Sequence, residues 1–444
     1  MRVRIVMATP VALALAVGVA AQQTPTIEYE TFTLENGLQF IVHEDHSVPV
    51  AHVEVWYDVG SAHEPEGRSG FAHLFEHMMF INTANLEQGE FDTYINQAGG
   101  SLNGTTNKDR TSYFETVPSN RVSLALWLEA DRMHNLVVNE ENFQREREVV
   151  KEERRLRVDN QPYGAAAMTM DTLPMDWEPY RHTVIGSMAD LDAATADDAL
   201  AFYRRFYVPN NAAVVVAGDV TVEQIRELAE RYFAHIPRGP ELPELPPIPP
   251  APRTDGERRV VVDDEKATLP LLQTAYTIPP EHHPDVKALE LLGQILGAGE
   301  SSRLYRRLVK EEQAAFQAFA GAGAGLGPGT FSVGALPNQG VEVSRLEALI
   351  EEELERVKAE GVTERELQKV KNQRRARTIM SRQTVSSKAS ALHRYRYEGD
   401  LSKINTELDE YMAIEAEDLL RVARKYLVPE NRTVVIARPP QPTT

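Results

Sequence analysis

The 444-residue chain contains no cysteine, so it can form neither disulfide bonds nor a cysteine-based zinc site. Basic residues are also outnumbered: 47 Lys and Arg stand against 66 Asp and Glu, which gives a formal net charge of −19. A negative surplus of this size argues against a nucleic-acid partner.

Long hydrophobic runs are absent as well. The one candidate, residues 10–21, is shorter than the roughly 20 apolar residues that a membrane-spanning helix needs. It follows the basic start Met1–Arg4 and ends in the small residues Val19–Ala21. This pattern predicts a signal peptide over residues 1–21, no membrane span, and an exported protein, in the bacterial periplasm.

The remaining chain has the composition and length of two globular domains, with 42% hydrophobic and 25% charged residues. The proline-dense segment 237–256 predicts a stiff linker between domains at 28–236 and 257–440. Tyr207–Ala217 is repeated, without a gap, by Leu427–Ala437, which indicates duplication of one unit. The predicted fold class is α+β: two homologous domains, each an antiparallel-type sheet with helices packed on one face.

A short apolar segment carries two histidines spaced for one helical face. In Ser69–Phe80, His73 and His77 lie four residues apart and Glu76 directly precedes the second. Positions i, i+3 and i+4 share a helix face, so both imidazoles and the carboxylate can point to one place. A zinc hydrolase needs such nitrogen ligands and a carboxylate that can take a proton from water. The plain alternative, two histidines near a helix surface, fits the apolar flanks less well.

A zinc site of this class takes a third protein ligand and leaves the fourth position open. Asn142–Leu156 reads as a helix capped near Asn139, with acidic residues in its first turn. Its predicted apolar stripe consists of Val149, Val150 and Leu156.

Four glutamates of this helix are candidates for that ligand. Glu146 and Glu153, seven residues apart, fall on the predicted stripe, whereas Glu148 and Glu152 point away from it. A glutamate on the buried face is the one available, so Glu153 is predicted as the metal ligand. Glu146 is predicted as an acidic neighbour of the site, and Glu148 and Glu152 as surface residues.

Together, these stretches resemble the inverted-zincin peptidases of the pitrilysin family, which includes insulin-degrading enzyme and the mitochondrial processing peptidase. The family pattern is H-x-x-E-H followed further along by E-R-x-x-x-x-x-E, here Glu146 to Glu153. The resemblance covers the chain after its first residues. It implies that His73, His77 and Glu153 bind Zn²⁺ and that Glu76 is the catalytic residue.

A polar segment after Gly99-Gly100 resembles the family pattern G-G-x-x-N-A-x-T. Asn103 matches the asparagine, while Gly104 stands where alanine is usual. The resemblance implies an edge strand whose residues Leu102, Asn103 and Gly104 pair with the backbone of a peptide substrate. A simple β-turn is the alternative reading.

The second unit lacks an H-x-x-E-H motif. Glu300–Tyr305 is predicted to stand where the first unit has its metal helix, and His282-His283 is interpreted as a surface cap at a helix start. In the family, an opposite half supplies an arginine and a tyrosine, but the predicted strand Gly329–Leu336 carries Thr330 and Phe331.

The resemblance implies a chamber formed with a homologous partner subunit and favours a heterodimer over a homodimer. The predicted function is a zinc-dependent endopeptidase acting on peptides or unfolded segments. Two alternatives stay open at the sequence level. One is a structural subunit, like the core proteins of the respiratory cytochrome complex. The other is a protein that binds peptide or zinc without turnover.

Overall fold

The computed structural model describes residues 25–440, so the predicted signal peptide lies outside the described residues. Two mixed sheets organise the chain. The strands of the first are β1 Glu30–Thr33, β2 Gln39–Glu44, β3 Val50–Tyr57, β4 Ser101–Thr106, β5 Thr111–Pro118 and β6 Ala212–Gly218. The strands of the second are β7 Arg258–Asp263, β8 Leu271–Ile278, β9 Ala315–Gly323, β10 Gly329–Pro337 and β11 Arg432–Arg438.

Fourteen α-helices lie among the described residues. Those before the proline-rich segment are α1 Phe71–Met78, α2 Glu90–Gln97, α3 Val122–Asn135, α4 Glu140–Arg154, α5 Gly164–Thr172, α6 Met188–Ala193, α7 Ala196–Phe206 and α8 Val222–Phe233. Those after it are α9 Pro284–Gly297, α10 Val343–Glu360, α11 Glu364–Ser381, α12 Val385–Tyr397, α13 Lys403–Ala413 and α14 Ala416–Tyr426.

Five strands of the first sheet match the five strands of the second in order, and β1 is an additional edge strand of the first. The first has the order β1-β2-β6-β3-β5-β4 and the second β7-β11-β8-β10-β9. Each contains one parallel pair, β2 with β6 and β7 with β11, and is otherwise antiparallel. The repeated segments Tyr207–Ala217 and Leu427–Ala437 contain most of β6 and β11, and they directly follow the matching helices α7 and α14. The α+β fold of two like units is therefore confirmed.

The position of the predicted counterpart to the metal helix was wrong. In the first unit α1 follows β3, and in the second unit the helix that follows the matching strand β8 is α9. Glu300–Tyr305 comes one element later, at the place that α2 takes in the first unit. His283 does cap α9, because its side chain accepts a hydrogen bond from the Asp285 amide.

Each sheet is also covered by a helix from the other unit. Helix α12 packs on β3 and β6, where Ala389 and Leu392 join Ile41 and Val215 in one buried cluster. In the second sheet, α5 packs on β11 through Ala166. Because α5 and α12 hold matching places in the two units, the exchange ties them together by reciprocal apolar burial.

A buried charge cluster lies beneath the metal helix. Arg132 of α3 is completely buried, donates to Glu129 and, at 2.7 Å, to Glu115, and lies 4.5 Å from the Tyr113 ring centroid. Removing one member of such a cluster leaves an uncompensated charge in a medium of low dielectric.

We therefore expect Arg132→Met to lower the free energy of unfolding by about 3–5 kcal/mol, measured by urea denaturation. The exposed Arg121, just before α3, is the matched control, and its replacement by Met should leave the unfolding midpoint unchanged. Equal midpoints for the two variants would contradict a structural role for the cluster.

Candidate active site

The helix that carries the histidine motif begins at a tight junction. Gly70, the N-cap residue directly before α1, has a φ of +96°, and an added Cβ there would lie 2.9 Å from the Ile185 carbonyl oxygen. The buried Glu64 carboxylate accepts hydrogen bonds from the amides of Gly70 at 2.9 Å and Ala72 at 2.8 Å. Glycine and a capping carboxylate thus fix where this helix starts.

The structure brings His73, His77 and Glu153 together. The Glu153 Oε2 atom lies 3.5 Å from Nε2 of His73 and 3.1 Å from Nε2 of His77. Within residues 25–440, these three are the group of potential metal ligands whose donor atoms all lie within 4.8 Å of one another. The helical spacing explains the two histidines, while the packing of α4 against α1 supplies the glutamate.

The residues present fit a zinc ion. Oε2 of Glu153 is buried and faces the two imidazoles, yet no hydrogen bond of suitable geometry satisfies it. A buried carboxylate oxygen without a donor is costly unless a cation takes that place. Burial, together with the nearby His77, lowers the pKa of His73 to about 4, so this imidazole is neutral, as a metal ligand must be.

Two further acidic groups adjoin the cluster. Burial raises the pKa of Glu76 above its usual value, while Thr106 and His77 act in the opposite direction. Glu76 lines the same cleft as the two histidines. Glu146 approaches His77 from outside the cluster, with 3.9 Å between its Oε2 and the Nδ1 of His77. A carboxylate in that position can orient a ligating imidazole.

The predicted buried stripe on α4 was wrong, although the glutamate chosen from it lies at the cluster. Val150 is buried, but Val149 is 44% and Leu156 56% exposed, and both line the cleft. Glu153 therefore sits on a cleft-facing stripe. Glu152 also borders the cleft, but its carboxylate is paired with Arg155 at 3.0 Å.

The polar segment after Gly99-Gly100 is strand β4, at the edge of the first sheet. Asn103 and Gly104 line the cleft, whereas Leu102 packs against the core and is not among the lining residues. A Cβ on Gly104 would lie 3.1 Å from Cγ of Glu76. The glycine in place of the family's alanine thus leaves more room beside Glu76.

Sequence reasoning missed the segment 182–190, a loop and the start of α6, which contacts the chain at both ligand-bearing helices, α1 and α4. Ser69, before α1, donates its hydroxyl and, at 3.1 Å, its amide to the Asp190 carboxylate. Arg154, next to Glu153, donates to the Gly186 carbonyl of the same loop. The loop also places His182 3.4 Å from Glu64.

Glu64 offers a test of this support. Replacing it with alanine leaves two buried amides at the start of α1 without acceptors, so α1 should shift and lose its hold on the metal. We expect Glu64→Ala to weaken zinc affinity about 10–100-fold, which is the usual effect of replacing a residue that supports the metal ligands. A chelator competition assay measures this affinity. Glu66 is the control, because it is exposed and lies two residues after Glu64 in the segment before α1. Equal zinc affinities for Glu64→Ala and Glu66→Ala would refute the role of Glu64 in positioning α1.

Comparison with known proteins agrees with this geometry. The family described as "Insulinase (Peptidase family M16)" matches residues 39–175, and "Peptidase M16 inactive domain" matches residues 193–374. The chain is 33% identical over 413 residues to "Zinc protease PqqE" of Helicobacter pylori, covering 93% of each protein. The chain belongs to peptidase family M16. As a zinc-protease homologue with a His-His-Glu cluster, this M16 chain is a zinc metallopeptidase.

Solved structures extend the comparison. A protease from Helicobacter pylori matches this M16 chain with a TM-score of 0.88 and 33% identity, over 93% of this chain and all of that one. The "periplasmic protease PqqL from Escherichia coli" matches with a TM-score of 0.76 and 16% identity, over 94% of this chain but 48% of its own. That second protein shares the fold, and this M16 chain corresponds to about half of its length.

No helix between residues 25 and 440 is long and apolar enough to cross a membrane. The strand predicted at Gly329–Leu336 is β10 of the second sheet. Its Thr330 side chain is half-buried and its Phe331 side chain is fully buried.

Proposed function

We propose that this chain is an endopeptidase that cleaves extended peptides, with His73, His77 and Glu153 holding Zn²⁺ and Glu76 transferring the proton. The observation that carries the proposal is the unsatisfied Oε2 of Glu153, buried between two imidazoles in an open cleft that Glu76 also lines. Glu146 is assigned to orient His77.

Glu76 performs the proton transfers in this proposal. When bound, Zn²⁺ polarises a carbonyl and lowers the pKa of water. The Glu76 carboxylate takes the proton of the attacking water and returns it to the leaving amine. A carboxyl group whose pKa is raised by burial is better suited to both steps. Its protonated and ionised forms lie closer in free energy near neutral pH.

Strand β4 is assigned to hold the substrate. It pairs with β5 on one side only, so its other edge can add a peptide as a further strand. The Gly104 amide donates to the Asn103 side-chain oxygen at 2.9 Å, which occupies one backbone donor of this strand. Of the three predicted contact residues, Asn103 and Gly104 keep this role in the proposal.

The larger assembly is part of the same proposal. We assign residues 28–236 to the zinc-binding domain, 237–256 to the linker and 257–440 to the domain without the motif. A chamber would form with a homologous subunit, because a PqqL chain contains about twice this length. We assign the chain to the periplasm from the pattern of residues 1–21 and from its similarity to PqqL, a periplasmic protease.

The deciding experiment measures cleavage and zinc in one preparation. The chain is purified alone and with any homologous subunit that co-purifies from its native envelope, then tested on internally quenched peptides before and after chelation. We expect chelator-sensitive cleavage that returns with stoichiometric Zn²⁺. Zinc binding without cleavage in either preparation would favour the non-catalytic alternatives.

A further inference from the structure

Two large aliphatic side chains project into the cleft from the helix that bears Glu153. Val149 lies four residues before Glu153 and Leu156 three residues after it, so the three form one stripe along α4 and the π-helical turn Arg155–Asp159 that continues it. Their exposed fractions are 44% and 56%. An aliphatic group thus lies on either side of Glu153 along this stripe.

Exposure of this kind is uncommon in the described chain. Eight large hydrophobic residues are exposed among residues 25–440, and two of them flank this glutamate. Val158, Val184 and Ile185 line the same cleft and extend the apolar surface. Edge strand β4 lies on the cleft as well, through Asn103 to Thr106. A contiguous apolar surface beside polar, convergent groups is typical of a binding site.

We infer that Val149 and Leu156 determine specificity by accepting a bulky apolar side chain of the peptide next to the cleaved bond. The inference rests on the proposed function. The occupant is a substrate side chain because this surface is continuous with the cleft that holds Glu76, His73 and His77. A peptide strand paired with β4 directs alternate side chains to opposite faces, so one can lie against this wall.

The test uses two quenched peptides that differ only in Leu or Ser beside the cleaved bond. Wild type should cleave the Leu peptide with a kcat/KM about 10-fold higher, as expected for a few methylene groups in an apolar site. Leu156→Ser should reduce this ratio to about 2-fold or less, mainly through a higher KM for the Leu peptide. Val261, 47% exposed on β7, is the matched control, and Val261→Ser should keep the wild-type ratio.

Binding of the same peptides separates this inference from the proposed chemistry. In the Glu76→Gln background, fluorescence anisotropy should show tighter binding of the Leu peptide, and adding Leu156→Ser should remove the difference. An unchanged preference in the Leu156→Ser variant would overturn the inference. A second contradicting result would be a Leu156→Ser variant that keeps its preference for the Leu peptide but changes its particle mass in sedimentation. Leu156 would then be a contact between subunits. Absence of cleavage by wild type, with the binding difference intact, would refute only the catalytic proposal.

Discussion

Replacing Glu76 with glutamine is expected to lower kcat by about 10³-fold or more while zinc content stays at the wild-type level. The amide keeps the size of the side chain in the tight space beside Gly104 and Phe80, where a Cβ on Gly104 would already lie 3.1 Å from Glu76. It cannot accept the proton of water, and general acid–base catalysis contributes about 10²–10⁴-fold. Steady-state kinetics and metal analysis on the same sample measure both quantities.

Glu76→Asp is the control, because it keeps the negative charge on a shorter side chain. It keeps the carboxylate but withdraws it by one methylene, so the kcat of Glu76→Asp is expected to lie between those of wild type and Glu76→Gln. Wild-type turnover by Glu76→Gln, in a preparation that contains any required partner, would show that another group moves the proton.

Replacing Glu153 with glutamine is expected to have the largest effect on metal binding. The change removes the negative charge from the buried oxygen that faces both imidazoles, 3.1 Å from His77 and 3.5 Å from His73. Zinc affinity should fall by more than about 100-fold, because replacing a residue that only supports the ligands already lowers it by up to roughly that factor. Competition with a chromophoric chelator measures the dissociation constant directly, without any need for catalysis.

Glu152→Gln is the matched control, because Glu152 is the neighbouring carboxylate on the same helix and also borders the cleft. Its side chain is 55% exposed and already paired with Arg155. Zinc affinity should therefore stay within about 2-fold of wild type, as for a solvent-screened charge. Equal losses of affinity in Glu152→Gln and Glu153→Gln would contradict the assignment of Glu153 as the ligand.

Several turns and helix starts of the structure have local causes, which a sequence pattern can indicate. In the β1–β2 hairpin, Gly37 closes the turn by donating its amide to the Leu34 carbonyl, and its φ of +95° is a conformation that favours glycine. Asn139 caps α4 by accepting the Asn142 amide at 2.9 Å, and Thr195 caps α7. Each signal needs only a few neighbouring residues, so sequence was sufficient.

The errors arose where apolar residues face something other than the core. Hydrophobic periodicity assumes that a stripe such as Val149 and Leu156 is buried, yet here it borders a cleft. The displaced counterpart of the metal helix had a different cause. Ala212 of β6 corresponds to Arg432 of β11, and the same offset of 220 residues carries α1 to residues 291–298, which overlap α9. The counterpart was misplaced because α9 carries no H-x-x-E-H motif that would mark it in the sequence.

The sequence by itself determined the two-unit α+β fold and the histidine pair, since a helical period places His73 and His77 on one face regardless of context. Only the tertiary structure decided that Oε2 of Glu153 lies between them, because two distant helices must pack against each other. It also decided that α5 and α12 cross to cover each other's sheets. Such contacts depend on surfaces far apart in the chain, which no local pattern records.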